Sequence, residues 1–306
     1  MTAVLVLEQS LNGLQFGLML FLLAAGLTLV FGIMDMINVA HGSIYMVGAY
    51  LVASISAASG SFWLGLGGGV VATILLGALL EIALLRRLYQ RDHLSQVLGT
   101  FAMLLMSNEL VRMIWGAQPI SLNPPAALAG PVALLPGFMY PAYRLFIIGI
   151  GLAVALLLYL LVTRTQLGMQ VRAGASNREM ALAMGVDVQR LFTGVFAIGA
   201  GLCAVAGGLL GPLLAVQVGM GESILILAFV VIVIGGIGSI RGALLGAMLV
   251  GLVDTAGRAL IPVVFDRLLG QQVAASAGPA VASILIYLLM AAVLFWKPKG
   301  LFPAHG

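Results

Sequence analysis

Charge is what this sequence lacks most. Only 8% of its 306 residues are charged, whereas 62% are hydrophobic, and the mean hydropathy is +1.17. A soluble domain carries roughly 25% charged residues. Residues 1–85 contain no Lys or Arg at all. So few charges cannot provide a solvated surface, which excludes a soluble globular protein and predicts an all-α polytopic membrane protein.

Cysteine and lysine are almost absent, and both absences restrict the chemistry. Cys203 is the single cysteine, so no internal disulfide can form, and it is expected to be a small packing residue. Neither Lys297 nor Lys299 is followed by Ser or Thr, which excludes a G-x-x-x-x-G-K-[ST] phosphate loop. Catalytic signatures such as H-E-x-x-H and G-x-S-x-G are also missing. We therefore expect no enzyme activity, bound cofactor or metal in this chain.

The N-terminal apolar segment is predicted to be a permanent helix, because no basic region precedes it as in a cleavable signal peptide. A spanning helix needs about 20 apolar residues. The candidate spans are 10–32, 41–58, 62–85, 94–115, 144–163, 190–212, 223–240, 242–261 and 278–296. Together they predict one transmembrane domain over residues 1–306.

The 14 basic residues lie at the ends of apolar runs, and no basic face with interleaved aromatics is present, which excludes nucleic-acid binding. With these spans, ten of them fall on one side. Short loops rich in Lys and Arg face the cytoplasm, so the C-terminus is predicted to be cytoplasmic. The ten are Arg86, Arg87, Arg91, Arg164, Arg172, Arg178, Arg190, Arg241, Lys297 and Lys299.

The segment 33–58 leaves the number of spans open, because polar residues interrupt its apolar run. A loop between two helices gives nine spans and an external N-terminus. A discontinuous helix that does not cross gives eight spans and an internal N-terminus. The predicted fold is thus a bundle of eight to nine helices with one or two broken helices.

Two connecting segments are predicted to lie outside the membrane. The loop 116–143 contains six prolines and no charged residue, which indicates a stiff external cap without regular helix. On the basic side, 164–190 contains Ser176 and Glu179 at capping-box spacing. Gly185 stands where a left-handed glycine ends a helix. This pattern predicts a short helix over 177–184 that packs against another surface; a helix resting on the lipid interface or on its own bundle is the alternative.

That short helix resembles a known motif. Glu179-Met180-Ala181-x-x-x-Gly185 is similar to the Glu-Ala-Ala-x-x-x-Gly loop of ABC-importer permeases. This sequence departs from the pattern at Met180, where the family has alanine. In that family this loop forms the coupling helix received by the ATPase subunits. The resemblance therefore implies that ATPase coupling involves Ser176, Arg178, Glu179, Met180, Ala181 and Gly185.

Further segments resemble the permeases of branched-chain amino acid importers, over roughly residues 10–300. They are Gly26 to Gly32, Ile37 to Gly42, Tyr45 to Tyr50 and Gly235 to Ala243. The resemblance implies a second homologous permease subunit or a second copy, two cytoplasmic ATPase subunits that bind ATP, and a periplasmic binding protein. It also implies the bacterial inner membrane. Similar permeases serve urea, short amides or aromatic acids, so the substrate stays open.

Two interruptions of the apolar pattern are candidates for the substrate pathway. Polar groups inside a membrane are costly and are functional candidates, and unwound backbone is tolerated there only if it is buried or lines a cavity. A turn at the membrane edge and simple glycine packing are the alternatives. The candidates are Asn38, His41, Ser43, Tyr45, Gly235, Gly236, Gly238 and Ser239.

A stand-alone secondary transporter is the competing function, and it would require acids within the spans. Glu109 and Asp254 are the nearest such acids, and each has an arginine one helical turn away. Glu109 with Arg112 and Asp254 with Arg258 are therefore predicted to be local ion pairs. Glu81 is predicted to anchor its span at the interface. The sequence thus favours an ATP-driven importer.

Overall fold

A computed structural model of the protein describes residues 3–34, 36 and 38–302. Asp35 and Ile37, which belong to the interrupted stretch of segment 33–58, lie outside the described residues. The helices in chain order are α1 (Ala3–Met34), α2 (His41–Ser59), α3 (Phe62–Leu80), α4 (Arg86–Leu88), α5 (His93–Trp115), α6 (Ala142–Arg164), α7 (Gln166–Ser176), α8 (Arg178–Ala183), α9 (Val188–Leu214), α10 (Met220–Gly235), α11 (Ile240–Leu269) and α12 (Gln271–Trp296).

The helices confirm the predicted all-α membrane architecture. Within the described residues, eight helices are long and apolar enough to cross a membrane. One of them is α3 together with α4, since α3 continues into α4 through a π-helical turn at Glu81–Leu85. The predicted span 223–240 corresponds to α10, which has only 16 residues and is too short for a full crossing. Helix α7 was not predicted.

Local chemistry sets several helix boundaries. The Asp92 carboxylate accepts a hydrogen bond from the Ser95 N–H, at 3.2 Å, and starts α5. The Ser95 hydroxyl also donates a hydrogen bond to the Asp92 carboxylate, and this bond helps to hold the pKa of Asp92 below its usual value. At the end of α2, Gly60 takes the left-handed conformation with φ +65°.

Helices α1, α2 and α9 form the buried centre, while α3, α5, α6, α11 and α12 expose much of their surface. Glycines let neighbouring helices approach closely. A Cβ on Gly207 would lie 2.8 Å from the Tyr45 carbonyl oxygen, and one on Gly246 would lie 2.7 Å from the Val231 carbonyl oxygen.

Helix α2 resolves the open question of the first break. His41 contacts Cys203 of α9, and Val52 packs against Gly208, so α2 and α9 run in the same direction.

Helix α1 runs the opposite way. Gly26 packs against Gly199 in the first half of α9. The earlier residue Asn12 lies beside the start of α6. At that start, Tyr143 donates a hydrogen bond to the carbonyl oxygen of Leu209, further along α9. The chain therefore turns back at the break, which favours nine passages, with α10 as the short one.

The start of α1 and the end of α12 consequently lie at opposite ends of the bundle. The end of α1 is next to the C-terminal segment, since Gly32 packs against Gly238 and Gly236 packs against Gly300. Glu81, at the end of α3, contacts Thr193 near the start of α9. The elements that carry the ten clustered bases thus meet at one end, which we call the basic end.

The Pro-rich loop covers the other end. It contains a 3-10 turn at Ala126–Leu128 and an unpredicted hairpin of β1 (Pro131–Leu135) and β2 (Phe138–Pro141). Ile120 also forms an isolated antiparallel bridge with Val216. The loop contains no α-helix between residues 116 and 141, as predicted.

That Glu81 anchors its span at the interface stays a prediction, but its side chain lies inside the protein and not on its surface. Its side chain is fully buried and pairs with Arg86 at 3.2 Å. Tyr89 and Thr193 donate hydrogen bonds to the same carboxylate, at 3.1 and 2.6 Å. Burial is tolerated because the charge is paired and its oxygens are satisfied. The cluster joins α3 to α9.

Candidate functional site

The first break places polar residues in the interior of the bundle. Asn38, His41, Ser43 and Tyr45 are all buried. The His41 Nε2 atom lies 3.1 Å from the Cys203 sulfur, so the predicted packing cysteine contacts a candidate pathway residue. A Cβ on Gly26 would lie 3.0 Å from that same ring nitrogen, which explains why glycine faces the histidine.

Several of these polar atoms have no hydrogen-bond partner among the described residues. They include both amide atoms of Asn38, Nδ1 of His41, Oγ of Ser43 and Oγ1 of Thr28. Buried polar groups are normally paired, so a cluster of orphaned atoms indicates strain, water or a functional requirement. These residues are concentrated around the start of α2.

The second break is confirmed. Helix α10 ends at Gly235, and the connection contains Gly236 with φ +105° and Gly238 with φ +80°, conformations that glycine adopts without strain. Ser239 then caps α11 by accepting a hydrogen bond from the Gly242 N–H at 3.1 Å.

The breaks approach each other but do not line one cavity. A Cβ on Gly32, at the end of α1, would lie 3.3 Å from the Gly238 Cα. Gly238 and Ser239 line a cavity of about 540 Å³ at the basic end, together with Thr28, Arg172 and other residues. Ser43 instead lines a second cavity of about 430 Å³.

The second cavity is mostly apolar and lies between α2, α3 and α5. Its polar contributions include the hydroxyl groups of Ser43 and Ser107, and Trp115 lies at one end. The Trp115 Nε1–H donates to the Ser54 hydroxyl at 2.5 Å, which ties α5 to α2. This cavity matches the size and polarity of sites for small, partly apolar ligands.

Helix α8 has the predicted position but a different N-terminal cap. Ser176 is the last residue of α7, and Asn177 is the cap, accepting from the Met180 N–H at 2.9 Å. The predicted capping box starting at Ser176 was wrong by one residue, because Asn can cap as well as Ser and α7 occupies the preceding residues. The Arg178 side chain lies outside the described part of the chain, and Glu179 is exposed.

The C-terminus of α8 follows the sequence prediction. Gly185 has φ +84°, its N–H donates to the Leu182 carbonyl, and the Val186 N–H donates to the Ala181 carbonyl, both at 3.0 Å. These two bonds form a Schellman motif. It gives the short helix a defined end.

The outer face of α8 is apolar. Met180, Leu182 and Met184 are exposed, Met184 by 79%, whereas Ala181 is buried against the bundle. The helix lies at the basic end between α7 and α9. An exposed methionine-rich face next to a basic loop is suited to bind another protein.

The chain matches one family model over residues 9–294, described as "Branched-chain amino acid transport system / permease component". This match covers almost the whole chain. The chain belongs to this permease family. No solved structure matches it significantly.

Known relatives of the permease agree with this assignment. It is 28% identical to the high-affinity branched-chain amino acid transport permease BraD of Pseudomonas aeruginosa, over 96% of this chain and 95% of that protein. It is 29% identical to the permease LivH of Escherichia coli, over 83% and 87%. It also resembles the fructose import permease FrcC of Rhizobium meliloti, at 30% identity over 61% and 52%.

Two polar residues of the permease, Glu222 and Asn108, were not predicted from the sequence as site residues. Glu222, the third residue of α10, is exposed, and its carboxylate accepts a hydrogen bond from the Asn108 side chain of α5 at 2.6 Å. Because the predicted span began at residue 223, Glu222 was placed just outside it. The glycines at 219 and 221 were the available signal, since they allow α10 to begin inside the bundle.

Proposed function

We propose that this chain is the translocation subunit of an ATP-driven importer that moves branched-chain amino acids into the cytoplasm. Family membership supports an ABC-importer permease. The names of BraD and LivH support branched-chain amino acids as the substrate class. The match to a fructose permease indicates that substrate can differ between relatives, so the solute is the part of the proposal most in need of an assay.

The proposed assembly contains a second permease subunit, two ATPase subunits and an external binding protein. The basic end would face the cytoplasm in a bacterial inner membrane, following the positive-inside rule. ATP would bind to the ATPase subunits, because this chain has no phosphate loop.

The observation that carries the proposal is the geometry of α8. It is short, capped at both ends, and presents Met180, Leu182 and Met184 at the basic end. A short, rigid helix with an apolar surface would transmit movement between an ATPase subunit and the helix bundle. The contacts of Ala181 with the interior support α8 as the coupling element.

The two breaks are proposed to supply the substrate pathway. The support is the cluster of unpaired polar atoms at Asn38, His41 and Ser43, and the cavity beside Ser43. Tyr45 lies two residues beyond Ser43 in the same helix. Gly235, Gly236, Gly238 and Ser239 would allow the opposite break to rearrange near the cavity at the basic end.

A pull-down with matched methionine variants tests the coupling assignment. Met184→Asp should reduce retention of the ATPase subunits at least tenfold, because it places a charge in the apolar contact. Met139→Asp is the control: Met139 is 71% exposed in β2 at the opposite end, and Met184 is 79% exposed. Retention of the ATPase by Met184→Asp at the control level would contradict the proposal. Uptake of labelled leucine by the complete wild-type transporter tests the substrate.

A further inference from the structure

Glu222 is a carboxylate on the outer face of the helix bundle. It occupies the first turn of α10, where the positive end of the helix favours a negative charge. Its hydrogen bond with the Asn108 amide, at 2.6 Å, links α10 to α5. The neighbouring Ser223 is also exposed.

Two distances place Glu222 within the depth of the spanning helices. Asn108 lies seven residues, or about 10 Å, before Trp115 at the end of α5, and about 22 Å from the other end of that helix. Gly221, next to Glu222, packs against Gly42 of α2. Gly42 lies about 18 Å along α2 from Ser54, the hydrogen-bond partner of Trp115. The carboxylate is thus about 10–18 Å inside the level of Trp115.

A lipid environment does not suit this residue. A charged side chain at the centre of a bilayer costs about 2.5–3.5 kcal/mol even by the mildest scales. The acids Glu81, Glu109 and Asp254 each form an ion pair with an arginine. Among the described side chains, none provides a cation for Glu222, whose carboxylate is held by a neutral amide instead.

The surroundings of Glu222 are polar on one side and apolar on the other. On α5, Glu109 and Arg112 continue an exposed polar face towards Trp115. Ser107, the chain neighbour of Asn108, lines the apolar cavity of about 430 Å³. A fixed, exposed carboxylate with no described cation beside it provides the charge that an ammonium group requires.

We propose that Glu222 lines the translocation pathway and binds the ammonium group of the amino acid during its passage. Asn108 is a positioning residue that holds the carboxylate between α5 and α10. This inference rests on the proposed function, because an amino acid brings the ammonium group.

Leucine uptake by the complete transporter provides the first test. Glu222→Gln keeps the size and the hydrogen bond with Asn108 but removes the charge, so uptake should fall at least tenfold while ATPase association is unchanged. Glu222→Asp retains the charge and should stay within about fivefold of wild type. Glu8→Gln, the same change at an exposed position of α1, should have no effect. Wild-type uptake by Glu222→Gln would overturn the proposal.

Thiol labelling provides a second test that does not require leucine to be the solute. Glu222→Cys should react with a membrane-impermeant, positively charged methanethiosulfonate added to the complex, because the pathway contains water. The natural Cys203 is fully buried and should not react with the reagent. Leu157→Cys, on the 59% exposed side chain of α6, is the lipid-facing control. Reaction of Glu222→Cys no faster than this control would overturn the pathway assignment, even if Glu222→Gln were inactive.

The two proposals fail differently. A wild-type complex that binds no ATPase or imports no leucine contradicts the proposed function. A wild-type complex that imports leucine, together with an equally active Glu222→Gln, contradicts only the role of Glu222.

Discussion

At the scale of single residues, Gly185 is the position where backbone conformation limits the choice of amino acid most clearly. Its φ of +84° is strained for a β-branched residue by about 1–3 kcal/mol. No atom lies within 4 Å of an added Cβ, so a substitution acts through the backbone and not through a clash. Gly185→Val should therefore distort the end of α8 and reduce substrate-stimulated ATP hydrolysis of the assembled complex several-fold.

Asparagine is the matched control at this position, because it tolerates the left-handed conformation better than valine. Gly185→Asn should keep most of the stimulation. Equal activities of the valine and asparagine variants would mean that the Schellman end of α8 does not contribute to coupling.

The cap of α8 provides a second prediction at this scale. Asn177→Ala removes the side chain that accepts from the Met180 N–H and should destabilise the first turn by about 1 kcal/mol. Glu179→Ala should have a smaller effect, because the exposed Glu179 is not the cap. The stimulated ATPase rate of both variants, in matched amounts of complex, is the measurement. A larger loss with Glu179→Ala than with Asn177→Ala would support the capping box predicted from the sequence.

At the scale of elements, the crossing of α2 and α10 depends on two glycines. A Cβ on Gly221 would overlap the backbone of Gly42, so Gly221→Ala must separate the helices and should cost about 1–3 kcal/mol. The thermal stability of the detergent-solubilised complex should fall. Gly67→Ala is the control, because nothing lies within 4 Å of its added Cβ and alanine favours helix by up to about 1 kcal/mol. Equal stability of both variants would contradict the tight crossing.

For the whole molecule, the return of the chain at α2 predicts the membrane topology. Cysteines placed at Ser10 and Ser121 should label from the outside, and one at Ser176 from the cytoplasm. All three positions are exposed. Impermeant maleimide on intact and opened cells distinguishes the sides. Labelling of the Ser10 and Ser176 positions from the same side would indicate eight crossings and contradict the nine-passage topology.

Much of this protein could be predicted from the sequence, because the controlling effects are local or depend on composition. Scarcity of charge required the membrane, the uneven placement of arginine predicted a basic end, and the absence of a phosphate loop predicted that ATP is hydrolysed by another chain. Gly185 was also predictable, since a left-handed helix end is a property of one residue and its neighbours. The ion pairs of Glu109 and Asp254 followed from helical spacing alone.

Long-range packing decided the rest. The sequence allowed the first break to be either a loop or a discontinuous helix; the contact of His41 with Cys203 and the direction of α9 determined that the chain turns back. Glu81 had the pattern of an interfacial residue, but a distant threonine, Thr193, made its burial possible. Glu222 stood at the edge of a predicted span, and only the packing of Gly221 on Gly42 placed its carboxylate at membrane depth. The sequence alone determined which segments lie in lipid and which in water, because the free energy of transfer adds up along the chain. The tertiary structure decided which polar groups meet, because those partners are far apart in sequence.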